Sequence, residues 1–201
     1  NSFRDVNIAF ANELSMICSE LSVDIWEVLK LANRHPRVSL LNPGPGVGGH
    51  CIAVDPWFIV SSAPQSSRLI KMAREVNDTK PDWVIGKVTE TIAELKNTLS
   101  DPLINPKIAV YGITFKADVE DLRESPSLMI AEHLGQKYPD RVVVVDPLVP
   151  YENESFEYFN LMGYDQASSY ADIHLMLVDH SEFKCLPKPT GALIDTRGIW
   201  V

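Results

Sequence analysis

The stretch "KIAVYGITFKADVEDLRESPSLMIAEHLGQKYPDRVVVVDP", residues 107–147, contains two short apolar runs with a helical pattern between them. The runs at 107–113 and 141–147 have the length and composition of buried strands. Residues 124–138 have the pattern of a helix, with Ser125 as its N-cap and a proline directly after it. Strand, helix and strand in this order are typical of a parallel sheet with helices on its faces.

Two further apolar runs continue this pattern along the chain, "DIHLMLVDH" at 172–180 and "GALIDTRG" at 191–198. We therefore predict a Rossmann-like α/β domain with a parallel sheet over residues 106–201. The segment "NTLSDPLINP" at 97–106 is rich in turn-forming residues and is predicted to be a linker.

The first half of the chain is predicted to be helical. Its apolar residues recur at the three-and-four spacing of a helix face. Pro36 ends a helix predicted over 24–33, and Pro81 suits the first turn of a long helix. Core packing is the ordinary interpretation of these stripes, although long paired helices also form dimer interfaces. We predict an α-helical domain over residues 1–100, and the pattern alone does not separate core packing from a dimer interface. The stripes, helix by helix, are Phe10, Leu14, Ile17 and Leu21; Ile25, Val28, Leu29 and Ala32; Leu69, Met72, Ala73 and Val76; and Val84, Val88, Ile92, Leu95 and Leu99.

The composition limits the class of protein. Of 201 residues, 45% are hydrophobic and 22% charged, as in an ordinary globular protein. The net charge of −9 argues against a nucleic-acid binder, and no apolar run approaches the roughly 20 residues that cross a bilayer. Cys18, Cys51 and Cys185 form no C-x-x-C pair, so neither a disulfide framework nor a zinc site is predicted. We expect a cytoplasmic protein without metal.

The loop "NPGPGVGGHCIAVDP" at 42–56 matches the spacing G-x-G-x-x-G of a dinucleotide-binding turn. That fingerprint must follow a strand and open a helix. The residues before it do not read as a strand, Pro45 removes a backbone N–H, and Pro56 disfavours a helix starting at Asp55. The dinucleotide interpretation is therefore disfavoured. The three glycines are Gly44, Gly46 and Gly49.

A second interpretation of this loop makes Cys51 a nucleophile. Glycines let a backbone pass close to a ligand, and a cysteine on a loop is nucleophilic when its thiolate is stabilised. Asp55 lies four residues on and is a candidate base for a water molecule. A buried, inert thiol is the commoner fate of a single cysteine, so spacing alone leaves both possibilities open.

Four stretches, in order, resemble the nucleotide-sugar 6-dehydrogenases, the family of UDP-glucose, GDP-mannose and UDP-N-acetylhexosamine dehydrogenases. Together they extend over the whole chain. They are "NSFRDVNIAFANELSMIC" (1–18), "PGPGVGGHCIAVDPWFIV" (43–60), "GITFKADVEDLRESPS" (112–127) and "ALIDTRGIW" (192–200).

The resemblance implies an NAD-dependent oxidation of a sugar C6 alcohol to a carboxylate, in two steps. Cys51 would form a thiohemiacetal with the intermediate aldehyde and then a thioester. Asp55 would assist the water that hydrolyses the thioester, and Asn1 would help to hold that water and the sugar. A thiolate suits this chemistry because it is both a strong nucleophile and a good leaving group.

The resemblance also implies that residues 1–100 form an α-helical central (dimerisation) domain with the catalytic cysteine loop and that residues 106–201 form a UDP-binding α/β domain. It further implies a UDP-N-acetylhexosamine substrate and a homodimer formed through the central helices. Arg123 would lie near the cofactor, and Arg37 would reach into a neighbouring subunit. Trp57 is expected in the core, and the remaining histidines are interpreted as structural or surface residues: His50, His133, His174 and His180. The implied substrate contacts are Asn1, Arg4, His35, Arg37, Gly48, Phe115, Lys116 and Arg197.

In the family, an NAD-binding domain and a catalytic lysine precede the position that corresponds to Asn1. We therefore expect this chain to be a fragment that is not a competent dehydrogenase by itself. Two alternatives remain open: a non-catalytic UDP-sugar-binding or dimerisation module, and a stand-alone dinucleotide binder that uses residues 44–49.

Overall fold

The computed structural model describes residues 1–98, 105–150 and 156–200. The chain divides into two compact units, Asn1–Lys80 and Pro81–Val201, called unit 1 and unit 2 below. The division falls within one long helix. The predicted domain limits at residues 100 and 106 stay predictions, and most of the predicted linker lies outside the described residues.

Unit 1 is helical. It contains α1 (Ser2–Glu20), α2 (Ile25–Ala32), α3 (Asp55–Ser62) and the first part of α4 (Arg68–Thr98). Asp24 caps α2 by accepting a 2.8 Å hydrogen bond from the Trp26 N–H, which satisfies one of the free donors at the helix start.

Two predicted helix limits are wrong. Pro56 does not prevent a helix from starting at Asp55, because α3 begins there. Proline is tolerated in the first turn of a helix, where a backbone N–H would have no intrahelical acceptor. Pro81 does not start a helix but lies inside α4. Ala73 before it and Val84 after it are both buried. Burial on both sides offsets the roughly 3 kcal/mol that an internal proline costs a helix.

The prediction that the apolar stripe of α1 faces the core is also wrong. Phe10 is 52% exposed, and Ile17 and Leu21 are exposed as well. On α4, Leu69 and Met72 lie in solvent, as does a large part of Trp57 on α3. The face of α1 that is buried instead is small and polar: Asp5, Ala9, Ala11, Asn12, Ser15 and Cys18.

Unit 2 has the predicted parallel sheet with helices. The five strands are all parallel and lie in the order β3-β2-β1-β4-β5. Sequence reasoning missed β3 and α6, because a two-residue strand and a seven-residue helix carry little periodicity. The elements are β1 (Ile108–Tyr111), α5 (Pro126–Lys137), β2 (Val142–Val145), β3 (Asn160–Leu161), α6 (Tyr164–Tyr170), β4 (Ile173–Met176) and β5 (Ala192–Asp195).

Apolar clusters lie on both faces of this sheet. Alternate residues of β1 point to opposite faces, so Val110 joins one cluster and Tyr111 the other. The stripe predicted for the second half of α4 is confirmed, since Val84, Val88 and Ile92 are buried in the first cluster. The last member of that stripe, Leu99, lies outside the described residues.

Ser125 caps α5 as predicted, since its side chain accepts the Leu128 N–H at 3.3 Å. Its hydroxyl also donates to the Ile113 carbonyl at 2.7 Å, which ties the start of α5 to the end of β1. The chain leaves β1 on one side for β2 and returns on the other side as β4. Parallel sheets bind ligands at such a reversal, outside the carboxyl ends of the strands.

Two glycines on helices of unit 2 are expected to change stability in opposite directions when each is replaced by alanine. A Cβ at Gly135 on α5 would overlap the backbone carbonyl oxygen of Tyr158, whereas a Cβ at Gly86 on α4 would meet no atom within 4 Å. We expect Gly135→Ala to lower the free energy of unfolding by roughly 1–3 kcal/mol through overpacking. Gly86→Ala is expected to raise it by about 1 kcal/mol, the propensity difference within a helix. Chemical denaturation checks both, and equal effects would contradict the packing at Gly135.

Candidate functional site

The loop that carries Cys51 turns directly into helix α3. The Cys51 carbonyl accepts hydrogen bonds from the N–H groups of Val54 (3.3 Å) and Asp55 (2.9 Å). Cys51 is exposed, and Asp55 is the first residue of the helix. The turn therefore holds the candidate nucleophile and the candidate base within one hydrogen-bonded segment.

Asn1 joins this segment from another element. Its Nδ2 donates to a carboxylate oxygen of Asp55, so the start of α1 lies against the start of α3. The three residues that the sequence predicts to be catalytic are thus brought together. A side-chain hydrogen bond joins Asn1 to Asp55, and a backbone turn joins Asp55 to Cys51. An amide that donates to a carboxylate fixes the orientation of that carboxylate, as a group that positions water requires.

The predicted sugar contacts of unit 1 lie on three segments. Arg4 is exposed on α1, one turn after Asn1. His35 and Arg37 are exposed in the segment after α2, where the Arg37 N–H donates to His35 Nδ1 at 3.2 Å. Gly48 is partly exposed in the glycine loop. The side chains of Arg4, His35 and Arg37 and the backbone of Gly48 are therefore accessible in this chain.

The glycine loop does not fit a dinucleotide. The part of unit 1 that the structure describes contains no strand before Gly44, and the next helix starts only at Asp55. Gly44 is buried, and its N–H donates to Asn12 Oδ1 at 2.9 Å rather than pointing to a free site. Gly49 has a φ of +86°, which a glycine adopts without strain. The glycines serve the turn toward Cys51.

A buried polar network supports this loop. Asn12 on α1 accepts from Gly44 and donates from Nδ2 to Asn77 Oδ1 at 2.9 Å. Asn77 on α4 donates to Asp5 Oδ1 at 2.8 Å, and the same oxygen accepts from Arg74 Nη1 at 2.5 Å. Arg74 is 1% exposed. The network ties the glycine loop to α1, which carries Asn1, and to α4.

Burial governs the charges in this part of unit 1. Burial raises the pKa of Asp5, and the Arg74 guanidinium opposes that rise. Lys80 is also buried, and its Nζ donates to Ser15 Oγ at 2.7 Å. Burial lowers the pKa of Lys80 to about 7. Ionised groups inside a protein cost free energy unless they are well paired, so this network costs stability as well as providing order.

In unit 2, candidate contacts lie in the loops at the carboxyl edge of the sheet. Phe115 and Lys116 follow β1, and Arg197 follows β5. Lys116 is exposed and Phe115 partly so. Gly112 directly follows β1 and has a φ of +82°, and a Cβ there would overlap the side chain of Val178 after β4. The loops after β1 and β4 therefore approach closely at the reversal of the sheet.

Both predicted arginines of unit 2 are held by carboxylates. Arg197 donates from Nε and Nη2 to Asp179 Oδ1, each at 2.7 Å. Burial alone would raise the pKa of Asp179, but Arg197 and Lys184 hold it below its ordinary value. Arg123 forms a two-pronged pair with Asp121 beside a cleft of about 190 Å³. The Arg197 guanidinium is thus held at the carboxyl edge of the sheet, whereas the Arg123 side chain is 72% exposed and its pair with Asp121 is a surface ion pair.

The histidines divide into two groups. His50 and His133 are exposed, but His174 and His180 are fully buried and hydrogen-bonded. His174 contacts the Tyr111 hydroxyl at 2.9 Å, and His180 lies beside Asp146 after the central strands. The sequence predicted only a structural or surface position for His180, and the structure places it in the interior; its position at the end of the apolar run 172–180 was the available signal. Among the described residues no His, Cys, Asp and Glu side chains cluster in a way that suits a metal ion.

The fold and these contacts define a class: a helical domain that presents a cysteine, followed by a parallel α/β domain of the nucleotide-binding kind. Residues 1–79 match the central domain of the UDP-glucose/GDP-mannose dehydrogenase family, and residues 109–201 match the UDP-binding domain of that family. The chain belongs to this family. The family uses NAD as its oxidant.

Characterised relatives agree with this assignment. The chain is 51% identical to the NDP-N-acetyl-D-galactosaminuronic acid dehydrogenase of Ralstonia solanacearum, over 100% of its own length and 46% of the relative's. It is 48% identical to the UDP-N-acetyl-D-mannosamine dehydrogenase of Salmonella typhi, over 100% of its own length and 49% of the relative's. The chain thus spans about half the length of the curated relatives it matches.

A solved structure has the same fold. The UDP-D-ManNAc dehydrogenase of Pyrococcus horikoshii superimposes with a TM-score of 0.81 at 33% identity, covering 99% of this chain and 46% of that one.

Within the described ranges, the helices are too short or too polar to cross a membrane.

The lowered pKa of Lys80 predicts a pH dependence of stability. The unfolded chain, with an ordinary lysine pKa of 10.5, binds the proton more tightly than the folded chain, whose Lys80 pKa is about 7. The free energy of unfolding therefore rises with pH across this window, by about 2 kcal/mol between pH 7 and pH 9. Lys80→Met is expected to lose this rise, and Lys71→Met, at an exposed position of the same helix, to keep it. Chemical denaturation of the wild type, Lys80→Met and Lys71→Met at pH 7 and pH 9 measures this rise. If Lys80→Met retained it, the pKa assigned to Lys80 would be wrong.

Proposed function

We propose that this chain is the nucleophile-bearing and UDP-binding part of an NAD-dependent UDP-N-acetyl-D-mannosamine 6-dehydrogenase. The observation that carries the proposal is the contact between Asn1 and Asp55 beside the exposed Cys51. It occurs in a chain that matches both the central and the UDP-binding domains of the family.

The residues of unit 1 would perform the covalent chemistry. In the first oxidation the C6 carbon loses a hydride and the C6 hydroxyl loses a proton to water, which leaves an aldehyde. The Cys51 thiolate then adds to the aldehyde carbon, and the oxygen takes up a proton from water to form a thiohemiacetal. In the second oxidation this carbon loses its hydrogen as hydride and its hydroxyl loses a proton to water, which leaves a thioester. Water then attacks the thioester, Asp55 takes a proton from that water, and the thiolate leaves as the carboxylate forms. Asn1 holds the Asp55 carboxylate in position. NAD+ would supply the hydride acceptor for both oxidations, and the proposal places most of its contacts on residues outside this chain.

Each unit carries its own set of proposed substrate contacts. In unit 2, Phe115, Lys116 and Arg197 would contact the nucleotide sugar, because cationic side chains at the carboxyl edge of a parallel sheet suit a diphosphate. Arg123 would lie near the cofactor. In unit 1 the sugar contacts would come from Asn1, Arg4, His35, Arg37 and the backbone of Gly48.

The identity of the sugar rests on the relatives. Relatives named for mannosamine and for galactosaminuronic acid match at 48% and 51% identity. UDP-N-acetylgalactosamine is therefore one alternative substrate, and UDP-N-acetylglucosamine is a second that the resemblance to UDP-N-acetylhexosamine dehydrogenases leaves open. A panel of the three UDP-sugars, tested on a protein that joins this chain to the family's NAD-binding domain, separates them by kcat/KM. A higher kcat/KM with either alternative sugar would overturn the mannosamine assignment.

The catalytic assignment predicts the behaviour of three variants of that joined protein. We expect Cys51→Ser to lower kcat by 10³-fold or more, because a hydroxyl is a far weaker nucleophile at neutral pH. Asp55→Asn is expected to leave a rapid first burst of NADH and to slow the steady state, since hydrolysis of the thioester then limits turnover. Cys185→Ser, a second exposed cysteine, is the matched control and should retain activity.

The 201-residue chain alone is expected to bind UDP without producing NADH from UDP-N-acetylmannosamine and NAD+. This outcome would agree with the non-catalytic module as a description of the isolated chain. Robust turnover by the chain alone would contradict the proposed division of the site.

The homodimer is also a proposal, and the exposed apolar side chains of unit 1 support it. Phe10, Ile17 and Leu21 on α1, together with Leu69 and Met72 on α4, leave a large apolar area in solvent. Exposed apolar area of this kind is typical of interaction surfaces. A dimer through these helices would bury side chains that the core of the monomer leaves outside.

The proposed dimer predicts the effect of a charge on this surface. We expect Phe10→Glu and Met72→Glu each to shift the chain from dimer to monomer, because a carboxylate is costly to bury without a partner. Glu94→Ala, at an exposed position of α4, should leave the mass unchanged. Sedimentation velocity measures the result. A monomeric wild-type chain, or dimeric variants, would refute the interface.

A further inference from the structure

His180 occupies a central position at the carboxyl edge of the sheet. It follows β4, and its side chain is 1% exposed. Its Nδ1 accepts the Asp118 N–H at 3.0 Å. Its Nε2 lies 3.3 Å from Asp146 Oδ2 and 3.3 Å from Thr114 Oγ1. One imidazole therefore links the segments that follow three neighbouring strands, β2, β1 and β4.

The hydrogen bonds define the state of the ring. Because Nδ1 accepts a backbone N–H, the proton of the neutral imidazole is on Nε2. That N–H points to the Asp146 carboxylate and the Thr114 hydroxyl oxygen. The Thr114 hydroxyl in turn donates to the Lys116 carbonyl at 3.0 Å. Each donor in this chain of contacts has an acceptor, as a buried polar network requires.

Asp146 supplies a fixed anchor for the ring. Its Oδ2 accepts the N–H groups of Ile113 (2.7 Å) and Thr114 (3.3 Å), and its Oδ1 accepts that of Leu148 (2.9 Å). Burial alone would raise the pKa of Asp146, but His180 and the backbone N–H groups of Ile113 and Leu148 hold it below its ordinary value. Asp146 is therefore an ionised acceptor at neutral pH.

A second contact restrains the far end of the loop. Asp118 accepts the Ser181 N–H at 2.8 Å and the Ser181 hydroxyl at 2.6 Å. The segment Thr114–Asp118 is thus held at its first residue by His180 and Asp146, and at its last by His180 and Ser181. Phe115 and Lys116 lie between these two fixed points, and neither side chain is buried.

We propose that His180 is a positioning residue that holds the Thr114–Asp118 segment so that Phe115 and Lys116 meet the uridine diphosphate group in one conformation. This inference rests on the proposed function of that edge as the nucleotide site. Preorganisation of a loop improves affinity because the cost of ordering it is met on folding rather than on binding. The role of His180 is to act through the loop, without contact to the ligand.

Three substitutions separate the two hydrogen bonds of the ring. His180→Asn keeps an acceptor near the position of Nδ1 for the Asp118 N–H. His180→Gln keeps a donor near the position of Nε2 for Asp146. His180→Phe removes both and preserves the aromatic contact with Phe183, whose ring centroid lies 5.5 Å away. His133→Asn, at an exposed position of α5, is the matched control.

The first measurement is UDP affinity of the 201-residue chain by titration calorimetry, well below each variant's melting temperature. We expect His180→Phe to weaken UDP binding at least tenfold, His180→Asn to recover most of that loss, and His180→Gln to recover less. His133→Asn should bind as the wild type does. In the protein that includes the NAD-binding domain, His180→Phe should raise KM with little change in kcat, because uniform binding is lost.

The second measurement is amide hydrogen exchange over residues 113–119, which needs no ligand. Faster exchange there in His180→Phe, but not in His133→Asn, supports the restraint of the loop. Unchanged exchange, or unchanged UDP affinity in a wild type that binds UDP, overturns the proposal. Should His180→Phe fail to fold, equal affinities of His180→Asn and His180→Gln overturn it.

If the wild-type chain binds no UDP, the proposed nucleotide site is wrong. The exchange result then decides the restraint separately.

Discussion

The hydrogen bond from the Gly44 N–H to Asn12 Oδ1 is the constraint on which the candidate active site depends. A loop with four glycines in six residues has a high conformational entropy when unfolded and few side chains with which to hold itself. Asn12 provides the external contact, and its other end is fixed by Asn77. The same helix that carries Asn12 begins at Asn1, so one rigid element places both the loop and the side chain that meets Asp55.

Unit 2 solves a similar problem in a different way. Its loop after β1 carries the candidate nucleotide contacts and has no regular structure between Gly112 and Ser125. Two buried side chains, Asp146 and His180, take up its backbone N–H groups at both ends of the exposed part. In both units, buried polar groups hydrogen-bond to the backbone of a loop without regular structure. Burying these groups costs free energy of folding, and their hydrogen bonds restrict the conformations of the loop.

Much of unit 2 could be predicted from the sequence, because its strands are continuous apolar runs. Val142–Val145 is buried on both faces and cannot be confused with an amphipathic helix, and Ser125 followed by Pro126 marks the start of α5. Neither feature depends on a distant partner. Two-residue β3 carries no pattern of its own and forms only because β2 offers a free edge.

Unit 1 was harder to predict, and α1 explains the difficulty. Its sequence offers two faces, one with large apolar residues such as Phe10 and one with small and polar residues such as Asn12. Periodicity favours the first for the core, yet the second is buried. The reason is a partner 65 residues away, since Asn12 and Asn77 satisfy each other only when the helices meet. A single sequence shows neither that pairing nor the contact of Asn1 with Asp55.

The glycine spacing of the loop shows how a motif depends on its context. In a dinucleotide site the glycine N–H groups face a phosphate at a helix start. Here the Gly44 N–H donates to Asn12, Pro45 has no N–H, and α3 begins only at Asp55. The same residue types therefore serve a turn that presents Cys51 and Asp55 instead of a phosphate cradle. What distinguishes the two uses is whether the backbone donors are free, and that is a property of the fold around the loop.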